Sequence, residues 1–377
     1  MRFLVLFAAG VVFGVTLSAG EVPEAPASRH PEESHRVVEA IARLKLPDRR
    51  ERLRALETIK RFPDKAVPFL IKAARDEDSV FRARVANALA LVGKGDRDAI
   101  WTLTVLLRDP DTFVRREAIA ALVKAGDAAL VPQIEPLLED RQETVRADAV
   151  VAIADLEPAR AGERLKAFLG HPDPRIRRTA LAELLRRQDP ALADLLPSLL
   201  KDKDAGVRGD AVAGIAQAGL ASAVPAVIEL LADPEPYVRS SAVVALKDMA
   251  VSQAAPRLID LLNDKSDEVR AEAVSALGAL RARTAIPVLI TQLSAPSKLV
   301  RERAALAVGL FREHARSAVP GLILLLADDD EGVRQKADLA LRLILRANVG
   351  FQTGASVERR QEAIVKWQEI WRKSKGG

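Results

Sequence analysis

The chain has 377 residues, 49% hydrophobic but only 4% aromatic, so its apolar mass is Ala, Leu, Val and Ile, which suits packed helices better than an aromatic-centred sandwich. The absence of Cys excludes disulfides, thiolate nucleophiles and Cys-ligated metals, and four His leave little for His-rich metal sites. With 57 basic and 52 acidic side chains the net charge is +5, too mild a surplus to point to nucleic acid.

Arg2 precedes an uncharged run from Phe3 to Leu17, short for a membrane span and right for the apolar core of an export signal. Ser18 and Gly20 put small residues at the −3 and −1 positions of a cut after Gly20, so residues 1–20 are expected to be a signal peptide. The alternative is an uncleaved anchor in the inner membrane, because a single Arg precedes the run. The chain is therefore expected in the periplasm or secreted. Residues 21–35, rich in Pro, Glu, Ala and Ser, read as a disordered linker, which would leave His30 and His35 no fixed geometry.

Residues 37–62 fit a degenerate first copy of a helical pair, with Asp48 opening its second helix. From there a 31-residue period governs the chain. An apolar residue followed by Arg recurs at Arg82, Arg115, Arg146, Arg177, Arg208, Arg239, Arg270, Arg301 and Arg334. Three residues after each Arg stands Ala, except for Val85, and seven residues after it a large aliphatic, from Leu89 to Leu341. Spacings of 3, 4 and 7 describe one face of an α-helix. The Ala column permits close approach of a neighbour and the aliphatic column fills the space between.

The remaining positions supply punctuation. Four residues before the Arg stand Asp78, Asp111, Asp173, Asp204, Ser266, Ser297 and Asp330, all good N-caps, with Gln142 and Glu235 less suited. Seventeen residues after it, Pro132, Pro225, Pro256 and Pro287 each open the next helix. Each unit is thus a first helix, a tight turn, a second helix and a short loop, giving about ten pairs over residues 37–347. The fold class is all-α, a right-handed α-solenoid occupying 36–347.

Stretches such as DPEPYVRSSAVVALKDM and DKSDEVRAEAVSALGAL resemble HEAT-like repeats of the phycobilisome-lyase type, in exported scaffold proteins of bacteria. The resemblance covers about four-fifths of the chain and implies a fold more than an activity. It implies that the turn Asp and the helix-borne Arg form a structural ladder between units. Here the acids would be Asp76, Asp109, Asp140, Asp202, Asp233, Asp264 and Asp328, with His171 and Ala295 departing from the column. An anion-binding stripe is the competing reading of the nine arginines, disfavoured because each brings its own acid.

Chemistry is sparse. His171 occupies a turn position and His314 a loop; no His-Glu dipeptide exists to build the di-iron clusters of some HEAT-like oxygenases. GKGD at Gly93–Asp96 lacks the Ser/Thr and preceding strand of a phosphate loop. No catalytic, metal or cofactor residue is assigned, no cofactor is expected, and the chain is read as a non-enzyme. After Leu345, residues 348–377 form a loop and a helix whose Ile364, Trp367 and Trp371 make one apolar stripe, read as a cap over the last repeat rather than an exposed docking site.

Function then rests on the surface. The second helices should line a concave wall, with the positions one, two and five places after each Arg facing outward. Around the fifth to seventh copies these give Ala213, Ser240, Ser241, Val244 and Ser275, a low-charge strip flanked by Asp210 and Glu272. Such a strip suits a protein segment better than a phosphate backbone. The chain is read as a monomeric protein-interaction scaffold of the bacterial envelope that binds a protein or peptide segment, with no nucleic acid partner. Nucleic-acid binding is the alternative, and a bilin lyase or isomerase activity follows only from the family resemblance.

Overall fold

The structure is a computed structural model that describes residues 30–374, with helices, turns and loops and no strand among them. The expected signal peptide at 1–20 and the linker residues 21–29 lie outside the described residues. Two compact units divide the chain after Ala125, and each is built from successive helical pairs.

The first helix starts earlier than the linker boundary. α1 spans His30–Arg43, so residues 30–35 are its opening turns rather than linker. Glu32 and Glu33 sit in the first turn, where they complement the helix dipole. The anchor is farther on: Val37, Ala40, Ile41 and Leu44 are buried at helical spacing. A polar opening to an amphipathic helix has the composition of a linker, which is why the boundary was misplaced.

Ten second helices follow among the described residues. The first unit holds α2 (Arg49–Arg61), α3 (Ser79–Val92) and α4 (Thr112–Ala125). The second holds α5 (Glu143–Leu156), α6 (Pro174–Arg187), α7 (Ala205–Ala218), α8 (Pro236–Asp248), α9 (Asp267–Ala279), α10 (Lys298–Leu310) and α11 (Glu331–Leu345). Their apolar columns are the core. Every member of the Ala column and of the aliphatic column seven places after the Arg is fully buried. The small residues set the spacing, most tightly where Gly278 faces Ala307 and Gly309 faces Ala340: an added Cβ would lie 2.8–3.0 Å from the facing Cβ.

The caps divide by chemistry. Asp78, Asp111, Asp173, Asp204, Ser266 and Asp330 each accept a backbone N–H of the first helical turn, whereas Gln142, Glu235 and, against expectation, Ser297 make no side-chain cap bond. First helices of the second unit are short. Val224–Glu229, Ala255–Asp260 and Ile286–Thr291 open at Pro225, Pro256 and Pro287 and then tighten into a 3₁₀ turn. That tightening delivers the chain into the turn, as when Asp233 donates its N–H to the Leu230 carbonyl at 3.1 Å.

The closing helix, α12 (Val357–Lys373), buries Ala363, Ile364 and Trp367 in the second unit's core, while Trp371 is half-buried. Trp367 is fully enclosed, and its indole N–H donates to Asp338 Oδ1 at 3.2 Å, which satisfies the polar end of a buried ring.

Candidate functional site

The repeat arginines fix the turns beside the wall. Arg239 Nε and Nη2 each donate to a carboxylate oxygen of Asp264 at 2.7 Å, while Nη1 donates to the carbonyls of Asp233 at 2.8 Å and Pro234 at 3.0 Å. Arg82 with Asp109, Arg177 with Asp202, Arg208 with Asp233 and Arg301 with Asp328 repeat this fork. The acid also accepts the N–H two residues ahead, as Asp264 does from Ser266 at 2.8 Å. Burial pushes the Asp264 carboxyl up, but the bonds from Arg239 and Ser266 outweigh it and hold its pKa below the usual carboxylate value; Asp202, Asp233 and Asp328 follow the same balance.

The two departures from the Asp column resolve differently. At His171 the ring Nδ1 accepts the Asp173 N–H at 3.1 Å, the bond an Asp would make, and Arg146 pairs with Asp173 instead. At Ala295 no acid takes the place. Arg270 turns back to Asp267 on its own helix and keeps the carbonyls of Asp264 and Lys265. Arg115 holds the carbonyls of Asp109 at 2.9 Å and Pro110 at 3.2 Å. Arg334 ends the series by donating to the Thr353 carbonyl at 3.2 and 3.0 Å, so the closing loop stands where a next repeat would put its Asp. Arg52 was missed: its Nη1 donates to the carbonyls of Leu46 and Pro47, six and five residues back, as the others do. Its copy has lost the column residues that mark the rest.

On the second-helix wall, α7, α8 and α9 border a depression of about 430 Å³. Of the seven residues expected there, Ala213, Ser240, Ser241 and Val244 line it together; Asp210, Glu272 and Ser275 are not part of the lining. Asp210 is held by Arg178, Nε to Oδ2 at 2.7 Å, Glu272 lies 3.8 Å from Lys247 Nζ, and Ser275 donates its hydroxyl to the Ala271 carbonyl. The flanking acids are instead Asp248 and Glu268. The outward positions are also less exposed than the period implies. Ala83, Gly209 and Ala271 are buried, and Ser240, Ser241 and Val244 half-buried.

Tyr237 is the residue the sequence reading passed over. It is the one Tyr of the chain, 53% exposed, and its ring lies over Gly209, where an added Cβ would meet Cε1 at 2.4 Å. A signal existed: Gly209 is the single Gly one place after a repeat Arg, and it makes room for the aromatic of the next copy. Among the described residues no three His, Asp or Glu side chains group as metal ligands, and no helix is long and apolar enough to cross a membrane.

The sequence matches the family described as HEAT repeats in seven overlapping stretches running from residue 37 to residue 342. No curated protein matches it by sequence. Among solved structures it is similar to Kap121p (13% identity, TM-score 0.57, 92% of this chain on 44% of that one) and to Kap121p bound to Pho4p (14%, TM-score 0.59, 93% on 44%). It is also similar to Kap95p, solved with RanGDP (13%, TM-score 0.57, 89% on 56%). The chain thus spans about half the length of these neighbours, and at such identities the likeness shows the fold.

Proposed function

We propose that this chain, which belongs to the HEAT-repeat family, is a non-enzymatic scaffold that binds another protein by taking an extended segment of it into the groove between α7 and α9. The observation that carries the reading is Tyr237, an exposed aromatic anchored on Gly209 at the edge of a small-residue depression. Aromatic anchors in pockets of this kind supply most of the energy of peptide capture. Glu268 and Asp248, the latter 58% exposed at its side chain and 3.8 Å from Lys247 Nζ, add negative charge for a basic residue of the segment and repel a phosphate backbone, which disfavours nucleic acid as the ligand. A scaffold of this fold binding a protein has a parallel in Kap121p, which was solved bound to Pho4p. The uncharged run Phe3–Leu17 followed by Ser18-Ala19-Gly20 supports action outside the cytoplasm, after removal of residues 1–20.

A crosslinking pull-down from the envelope fraction of the native cell tests both parts. The wild-type chain should retain a partner that Ala213→Arg with Tyr237→Ala releases, and the recovered chain should begin near Glu21. Equal capture by both forms would remove the groove as the site, and an intact Met1 in a soluble cytoplasmic fraction would remove export.

A further inference from the structure

A second opening lies at the carboxyl end of the same wall, about 820 Å³ between α11, the loop after it and the start of α12. Gln335, Lys336 and Leu339 of its lining stand one, two and five places after Arg334, the positions that Ser240, Ser241 and Val244 hold after Arg239. The wall therefore continues into this cavity, through α9, α10 and α11 packed in order.

Its charge is the reverse of the middle groove. Lys336, Arg342 and Arg359 face the cavity against one acid, Asp338. That acid is occupied: it accepts from Arg342 Nη2 at 2.6 Å and from the Trp367 indole at 3.2 Å. Glu331, just outside the lining, accepts the Thr353 hydroxyl at 2.8 Å. Lys336 and Arg359 make no ion pair among the described residues, whereas Arg342 is already paired with Asp338. In a chain whose repeat arginines mostly arrive with a carboxylate, this is a local surplus of unmet donors. Phe351 and Leu339 add apolar surface beside it.

We infer that this cavity is a carboxylate-binding subsite of the wall, so that the bound segment is bipolar: a basic residue at Asp248 and Glu268, and a carboxylate at Lys336 and Arg359. The inference rests on the wall being a peptide site. Guanidinium and ammonium donors without acceptors are the groups a carboxylate satisfies best. Packed helices lie about 8–10 Å apart, so α8 to α11 spans roughly 25–30 Å, or about eight or nine residues of extended chain.

Selection of random peptides about sixteen residues long on the full chain tests this, because that length reaches both sites. The selected peptides should carry Asp or Glu about eight or nine residues from Lys or Arg. A synthetic copy with the acid changed to Gln should bind about tenfold more weakly, and the Lys336→Glu with Arg359→Glu variant should show the same loss for the unchanged peptide while melting as the wild type does. Copies with free and amidated carboxyl ends distinguish a side-chain carboxylate from a terminal one; both satisfy the subsite. Peptides that bind the double variant as tightly as wild type, with no preference for an acid, would overturn the subsite and leave the groove standing. Peptides whose binding ignores Tyr237→Ala would instead overturn the wall itself.

Discussion

At the scale of the residue, the Arg–Asp fork makes the sharpest stability predictions. Arg239→Ala strips Asp264 of both charge-assisted bonds and leaves a carboxylate only 7% exposed with one backbone donor, so it should cost roughly 2–3 kcal/mol. Arg270→Ala should cost less than about 1 kcal/mol, because its cross-repeat acid is missing at Ala295 and its ion pair is with exposed Asp267. The backbone at Ala295 (φ −61°, ψ 144°) matches that at Asp264 (φ −60°, ψ 149°), so Ala295→Asp should complete the rung and raise the melting temperature by a few degrees. Thermal melts of the three variants decide the matter; a neutral Arg239→Ala would contradict the fork's role. Acid should act through the same groups. A carboxyl whose folded pKa is depressed, as for Asp202, Asp233, Asp264 and Asp328, lends stability that is complete above its unfolded value of 3.8 and is lost as pH falls through the folded pKa. Melting temperature should therefore hold from neutral pH to about pH 5 and drop below about pH 4. A steep loss between pH 7 and 6 would point to other groups. The Asp column was legible because its job needs one chemical type; Arg146 pairing with Asp173 was not, because a neighbouring cap supplied the acid instead.

At the scale of the element, the second helices show which features a sequence displays and which it conceals. The Ala and aliphatic columns were plain because burial tolerates few residue types. The helix ends were hidden. Gln188, Gly219, Ala250, Arg281 and Arg312 stand 31 residues apart and all take positive φ, from 50° to 62°. Four of the five carry a Cβ in a conformation that favours Gly, so the column has no common residue and no visible signature. The geometry is imposed by the loop to the next first helix: Val251 donates to the Leu246 carbonyl at 2.9 Å, as Leu220 does to Ile215 at 3.1 Å after Gly219. Ala250→Gly should accordingly stabilise by about 1 kcal/mol, relieving strain at an exposed position without touching the core. Gly219→Ala should do the reverse. Denaturant midpoints that move in the same direction for both would contradict this reading of the caps.

At the scale of the molecule, rungs and wall use different positions of the same repeat, so stability and binding should be separable. The repeat pattern brought Ala213, Ser240, Ser241 and Val244 to one depression, because small side chains at fixed offsets mark it. It did not foresee that Asp210 and Glu272 face cations of neighbouring helices, a pairing across repeats that a one-copy period does not encode. It missed Tyr237 for the same reason: the ring's seat is Gly209, one repeat back. This arrangement permits a substitution that strengthens the fold while weakening function. Gly209 lies inside α7 with ordinary helical backbone, where Ala is favoured over Gly by about 0.5–1 kcal/mol. The new Cβ would stand 2.4 Å from Tyr237 Cε1, and because that ring is exposed it can swing away at little cost to the core. Gly209→Ala should therefore melt at or above the wild-type temperature and yet lose most of its affinity for a groove-binding peptide, with Tyr237→Ala no further damaging in that background. Calorimetry beside peptide titration reads both quantities on one sample. Retained affinity in Gly209→Ala would show that the position of the Tyr237 ring is not what the partner recognises.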